Sequence, residues 1–205
     1  MGSTTFNMMT HPATVRAISL LAFTVVSASA AACERKAPQH GMVVTDAQPA
    51  PALALRDADG RAFDVAAERG HTVLLYFGYT HCPDVCPATL ADFARAHRML
   101  GRDGNRMHFV FVSVDPERDT PAVAASYARQ FDSTFTGLAA SAADVEAIKA
   151  AWGFAVAKEE MPGMAGYGVS HPAGVFVIDR DGKLRFVFAP GTTAEDLAAD
   201  LKLLL

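Results

Sequence analysis

Two uninterrupted apolar runs stand out along the chain, Thr72 to Tyr79 (TVLLYFGY) and Met107 to Val114 (MHFVFVSV). Both are rich in β-branched and aromatic residues and too short for helices, which predicts strands buried on both faces of a parallel sheet. Between them Leu90, Phe93, Ala94, His97 and Leu100 recur at helical spacing up to Gly101, predicting a helix from about Pro83 to Leu100. After the second run, Thr120 caps and Pro121 opens another helix. Ser141, with Asp144 three residues on, starts a third that runs to about Trp152. This order is that of an α/β domain with right-handed crossovers. Near the end, GVFVIDRDGKLRFVF folds back around Asp-Arg-Asp-Gly as a hairpin, and Thr192 or Thr193 caps a last helix to Leu205. The plan is thioredoxin-like: α/β, with a central mixed sheet flanked by helices.

The pattern changes before residue 53. No acidic residue precedes Glu34, and Arg16 is followed by an apolar run from Ala17 to Val26, which reads as an export signal over residues 1–32. The run is shorter than the roughly 20 residues of a membrane-spanning helix. Ala28-Ser29-Ala30 fits a cleavage site, whereas Ala30-Ala31-Ala32-Cys33 resembles a bacterial lipobox that would place a lipid on Cys33, and an uncleaved anchor is a third ending. Each puts the domain outside the cytoplasm, with the lipid-anchored form on the periplasmic side of a bacterial inner membrane as the expected one. Residues 33–52, rich in Pro and Ala without periodicity, read as a flexible linker, and 53–205 as the folded domain.

Composition narrows the function. A chain of 205 residues, 51% hydrophobic, can bury one sizeable core, and a formal charge of −4 with interspersed signs gives no footprint for nucleic acid. Of three cysteines, two lie in YFGYTHCPDVCP, where the first predicted strand meets the first helix. Cys82 and Cys86, four apart at a helix start, can bring their sulfurs together, and helix N-terminal amides favour thiolate. Such a pair forms a disulfide or grips a soft metal; three intervening residues, one more than the usual redox motif, leave room for an ion. Two thiolates cannot complete a four-ligand zinc site, whereas Cu(I) accepts fewer ligands, and a histidine would be the natural third.

His40, His71, His97 and His108 fall in the linker, a turn and regular elements, where packed or solvated imidazoles are expected. His81 adjoins Cys82 and should point elsewhere. His171 ends a glycine-rich loop, PGMAGYGVSHPAG, just before the predicted strand Val175 to Ile178, and stands equally as a ligand or an ordinary loop residue. Met161 and Met164 of that loop are soft donors that packing explains better.

FGYTHCPDVCP, VSVDPERDTP (Val112 to Pro121) and HPAGVFVIDRDGKL, in this order, closely resemble the Sco (SenC) family of copper-binding thioredoxin-like proteins over about residues 53–205. The resemblance implies a membrane-tethered copper chaperone that serves the dinuclear copper centre of cytochrome c oxidase subunit II, with Cys82, Cys86 and His171 as ligands for Cu(I) or Cu(II). Thiol–disulfide reduction of a partner through Cys82 and Cys86 is the alternative the family also implies. One departure bears on the third ligand: Ser170 and Pro172 flank His171 where the family commonly has Asp before it and Ser or Thr after. Asp115, at a predicted strand end, is a candidate to support the ligands from behind, although with Arg118 it also fits an ion pair within a turn. A peroxidase of the same fold would need Thr three residues before its cysteine, where this chain has Tyr79 and Pro83.

Overall fold

The computed structural model describes residues 1–3, 40–161 and 166–205. The chain divides into two units, Met1–Glu34 and Arg35–Leu205. The strands of the second unit are β1 (Met42–Val43), β2 (Ala54–Arg56), β3 (Ala62–Asp64), β4 (Thr72–Gly78), β5 (Met107–Ser113), β6 (Thr136–Ala139), β7 (Ala157–Glu160), β8 (Tyr167–Ser170), β9 (Val175–Ile178) and β10 (Leu184–Phe188). Its α-helices are α1 (Val85–Leu100), α2 (Pro121–Arg129), α3 (Ala142–Trp152) and α4 (Ala194–Leu201).

Six strands form one sheet in the order β1-β10-β9-β4-β5-β6. The two apolar runs are its centre: β4 pairs parallel with β5, and every residue of β4 is buried. The other side of β4 pairs antiparallel with β9, so the sheet is mixed. Side chains alternate across it as strand geometry requires. Tyr76 and Phe111 face a layer that includes Tyr127 of α2, while Phe77 and Phe176 meet Trp152 of α3 on the other face.

The caps follow the sequence closely. Thr120 accepts the Val123 amide, Ser141 and Asp144 form a reciprocal capping box, and Thr193 caps α4. Three expectations change. Helix α1 begins at Val85, because Pro83 and Asp84 stay in the turn, and Cys82 therefore precedes the helix rather than lying on it. Part of the loop before His171 is strand β8, paired antiparallel with β7 in a hairpin separate from the main sheet. Residues 40–52, expected as linker, lie against the domain. Met42 and Val43 pair with β10, Pro49 bridges Lys183, and the amides of His40 and Gly41 donate to Asp200 at 2.8 and 2.9 Å. The pairing uses backbone groups and needs no apolar pattern. Cys33 and the expected signal segment beyond residue 3 lie outside the described residues, as does Met164. Among the described residues no helix is long and apolar enough to cross a membrane.

Candidate metal centre

The site forms where β4 ends. Gly78 is the last strand residue, and a Cβ there would stand 2.9 Å from the Cys86 sulfur and 2.9 Å from the Phe111 ring, so glycine lets the first turn of α1 settle onto the sheet. Cys86 is fully buried, and the Tyr76 hydroxyl donates to its sulfur at 3.4 Å. Cys82, half-buried in the turn before α1, accepts the Cys86 amide at 3.4 Å. Asp84 makes no side-chain cap, so this sulfur takes the place of a capping oxygen at the helix N-terminus.

That position splits the two thiols. Cys82 is held well below the ordinary thiol range, first because the Cys86 thiol donates to its sulfur, then through His171 and the backbone amides of Asp84 and Cys86. Cys86 is pushed up, because its proton is engaged by Cys82 and because it is buried. The apo pair is thus one thiolate and one thiol. Burial and the neighbouring thiols likewise raise the Tyr76 hydroxyl, which stays a donor.

His171 completes the group. Its Nε2 lies 3.6 Å from the Cys86 sulfur, and Nδ1 lies 3.1 Å from the Pro172 carbonyl, which it reaches as an N–H donor, so Nε2 is the nitrogen turned toward the thiols. The carbonyl takes the orienting role that an acidic neighbour would have filled. Tyr76 and Tyr79 meet the imidazole edge-on, with ring centroids 6.0 and 5.7 Å away. The ligand atoms of Cys82, Cys86 and His171 all lie within 4.8 Å of one another. Two sulfurs and one imidazole nitrogen, partly shielded from water, make a soft site of low coordination number.

Asp115 stands elsewhere. Buried, it accepts the Arg118 Nε at 2.5 Å and the Tyr167 hydroxyl at 2.8 Å. Arg118 in turn donates to the Tyr167 carbonyl at 3.0 Å and lies 3.8 Å over its ring. The turn after β5 therefore grips β8 near its start, and Asp115 acts through Tyr167 without touching the ligands. The ion pair expected within this turn is present. Met161 packs its sulfur against Gly168, where a Cβ would come within 2.7 Å of it. His40 and His97 face Asp196 and Asp132, and His81 faces Asp119.

Asp119 carries no signal of its role in the sequence. Its buried carboxylate accepts the Thr80 amide at 2.8 Å, the Thr80 hydroxyl at 2.6 Å and the Ser113 hydroxyl at 2.5 Å, binding the cysteine turn to the end of β5. Its place in DPERDTP, one residue before a helix cap, resembles an ordinary turn Asp. Only the three donors brought by other elements distinguish it.

The fold and site define a thioredoxin-like domain with a two-thiol, one-imidazole pocket at the end of its central strand. The SCO1/SenC family model matches residues 45–205, and the chain belongs to that family. Among solved structures, copper-bound ScoI of Bradyrhizobium japonicum is 35% identical with a TM-score of 0.69, covering 77% of this chain and 100% of that one. Apo Sco1 of Thermus thermophilus is 36% identical with a TM-score of 0.73, covering 81% and 96%. The mitochondrial SCO2 homolog of Bos taurus is 30% identical over 152 residues, 73% of this chain and 57% of that protein. The chain thus spans less than two thirds of that relative's length.

Proposed function

We propose that the protein is a copper metallochaperone that holds one copper ion on Cys82, Cys86 and His171 and delivers it to the dinuclear copper centre of cytochrome c oxidase subunit II. The observation that carries this reading is the convergence of those three ligand atoms within 4.8 Å. The donor set suits Cu(I), which prefers thiolate and tolerates three ligands. One thiolate is already present, so loading requires loss of a single thiol proton, from Cys86. Family membership and the likeness to a copper-bound Sco structure support the cargo. The leader pattern and Cys33 support a protein exported and lipid-anchored on the periplasmic side of a bacterial inner membrane.

Transfer would follow from exchange of ligands. A partner thiolate or imidazole enters as His171 leaves, and the dithiol then hands over the ion one bond at a time. The test is a Cu(I) titration of the reduced protein against a competing chelator, beside His171→Ala. We expect one-to-one binding, weakened about tenfold or more in the variant, a loss of roughly 1.4 kcal/mol or more. An unchanged affinity removes His171 from the ligand set.

The difference between the two thiols favours a second activity. Cys82, the more accessible thiolate, can attack a partner disulfide and form a mixed disulfide, releasing one partner thiolate. Cys86, after giving up its proton, displaces the other, leaving a Cys82–Cys86 disulfide and a partner reduced by two electrons. This reading predicts stoichiometric reduction of a disulfide by the metal-free protein, lost in Cys82→Ser.

A further inference from the structure

A second set of metal-ligating side chains lies at the opposite end of β4. Glu68, His71 and His108 bring a carboxylate oxygen and two imidazole nitrogens within 4.8 Å of one another, and all three are partly exposed. We propose that these residues form a second metal site for a divalent ion that prefers imidazole, of the zinc or copper(II) class, separate from the thiol centre.

The arrangement is built by the fold. Asp64 caps a short 3₁₀ turn, Val65–Ala67, and Glu68 closes it. The His71 amide donates to the Glu68 carbonyl at 3.1 Å, which fixes the spacing of the two residues. From outside, the Gly70 amide donates to the Arg180 carbonyl at 2.9 Å and the Arg180 Nε donates to the Gly70 carbonyl at 3.1 Å, clamping the turn. His108 is the second residue of β5, paired in register with Val73, two residues beyond His71. One ligand, His108, is thus fixed by the central strand pair, and the other two, Glu68 and His71, by the turn that leads into it.

The side chains already associate. His108 Nδ1 lies 2.5 Å from a Glu68 carboxylate oxygen, and the His71 and His108 rings stack with centroids 4.1 Å apart and planes 16° apart. A tetrahedral ion with bonds of about 2.1 Å needs ligand atoms about 3.4 Å apart. The present spacings, 2.5 Å between His108 Nδ1 and the Glu68 oxygen and no more than 4.8 Å for the others, bracket that value, and all three side chains are partly exposed. Two imidazoles and a carboxylate leave a fourth position for water.

Softness sorts the two ends of the strand. The nitrogen and oxygen donors suit Zn²⁺ or Cu²⁺, and the thiols suit Cu(I). Seven strand residues separate the two by about 20 Å, so neither set can complete the other.

The test uses the full chain as Cys82→Ser/Cys86→Ser, which removes the thiol centre, with Zn²⁺ alone titrated against a chromogenic chelator. One equivalent should bind, and His71→Ala or His108→Ala should each weaken it about tenfold or more, with His40→Ala as an unaffected control. If His108→Ala disturbs β5, His71→Asn in the preceding turn gives the same reading. Binding no tighter than about 1 mM in the serine background, or binding that survives both histidine substitutions, overturns the site. Because Cys82 and Cys86 are both replaced throughout, the result is independent of the copper proposal.

Discussion

The thiol half of the centre and its histidine half are held in different ways. Cys86 is fully buried at the start of a 16-residue helix, against the middle of a six-stranded sheet, with glycine beneath its sulfur. His171 leaves a two-stranded hairpin outside that sheet, whose strand β7 is exposed along its length. The hairpin is attached through side chains: Tyr167 to Asp115 and Arg118, and Lys158 to Glu117. Only past His171 does the chain rejoin the main sheet, where Val175 pairs with Tyr76. Moving the thiols would disturb the centre of the core, whereas moving the imidazole disturbs the polar contacts of the hairpin and the packing of Val169 at the core's edge. A carrier must hold its cargo and also let it go. If the protein is the copper carrier proposed above, the histidine bond would be the one to open first, and the dithiol the part that keeps its geometry.

The largest effect that can break this division concerns Cys82, whose thiolate draws on both halves. Its low pKa means the thiolate is present throughout the neutral and mildly acidic range and is lost only when pH falls through that depressed value. Alkylation of Cys82 by iodoacetamide should change little between about pH 7.5 and about pH 5.5, where a thiol with pKa near 8.5 would slow about a hundredfold. Mass spectrometry of the site reads this directly. Because the Cys86 thiol contributes more than His171, His171→Ala should leave the profile largely flat, and Cys86→Ala should restore much of the ordinary slope. A hundredfold slope in the unmodified protein would remove the preformed thiolate.

Two glycines sharpen the contrast at an intermediate size. In Gly78→Ala the new methyl meets the Cys86 sulfur and the Phe111 ring, both confined by the core, at a cost of about 1–3 kcal/mol by urea denaturation. In Gly168→Ala it meets chiefly the Met161 thioether, a flexible side chain able to swing away, so the loss should stay below about 1 kcal/mol. Equal losses would mean that the hairpin is as tightly packed as the thiol half.

The same division governs what could be read from sequence. Strands β4 and β5 and the β9–β10 hairpin follow from apolar runs and a turn, and the caps at Thr120, Ser141 and Thr193 from side chains acting on their own neighbours. The cysteines are visible as a motif at a strand end. Strands β7 and β8 are not, because exposed Ala157–Glu160 and a glycine-rich partner carry no buried alternation. Edge strand β1 is hidden by the proline and alanine around it. The supports of the site, Asp119 under Thr80 and Tyr167 on Asp115, join residues 39 and 52 positions apart, and no local pattern encodes such contacts.

The smallest predicted effect tests whether the polar attachment of the hairpin positions the imidazole. Tyr167→Phe removes the hydroxyl that donates to Asp115 and keeps the ring beneath Arg118. Asp115 retains Arg118, so its buried carboxylate is not left unpaired and the stability cost should be about 0.5–1.5 kcal/mol. If the hydroxyl helps to hold β8, Cu(I) affinity should also fall severalfold while the Cys82 alkylation profile stays unchanged, since the thiols rest on other contacts. A loss of stability with copper affinity intact would assign Tyr167 to the fold alone. The approach of His171 would then be set from its other end, by the pairing of β9 with β4.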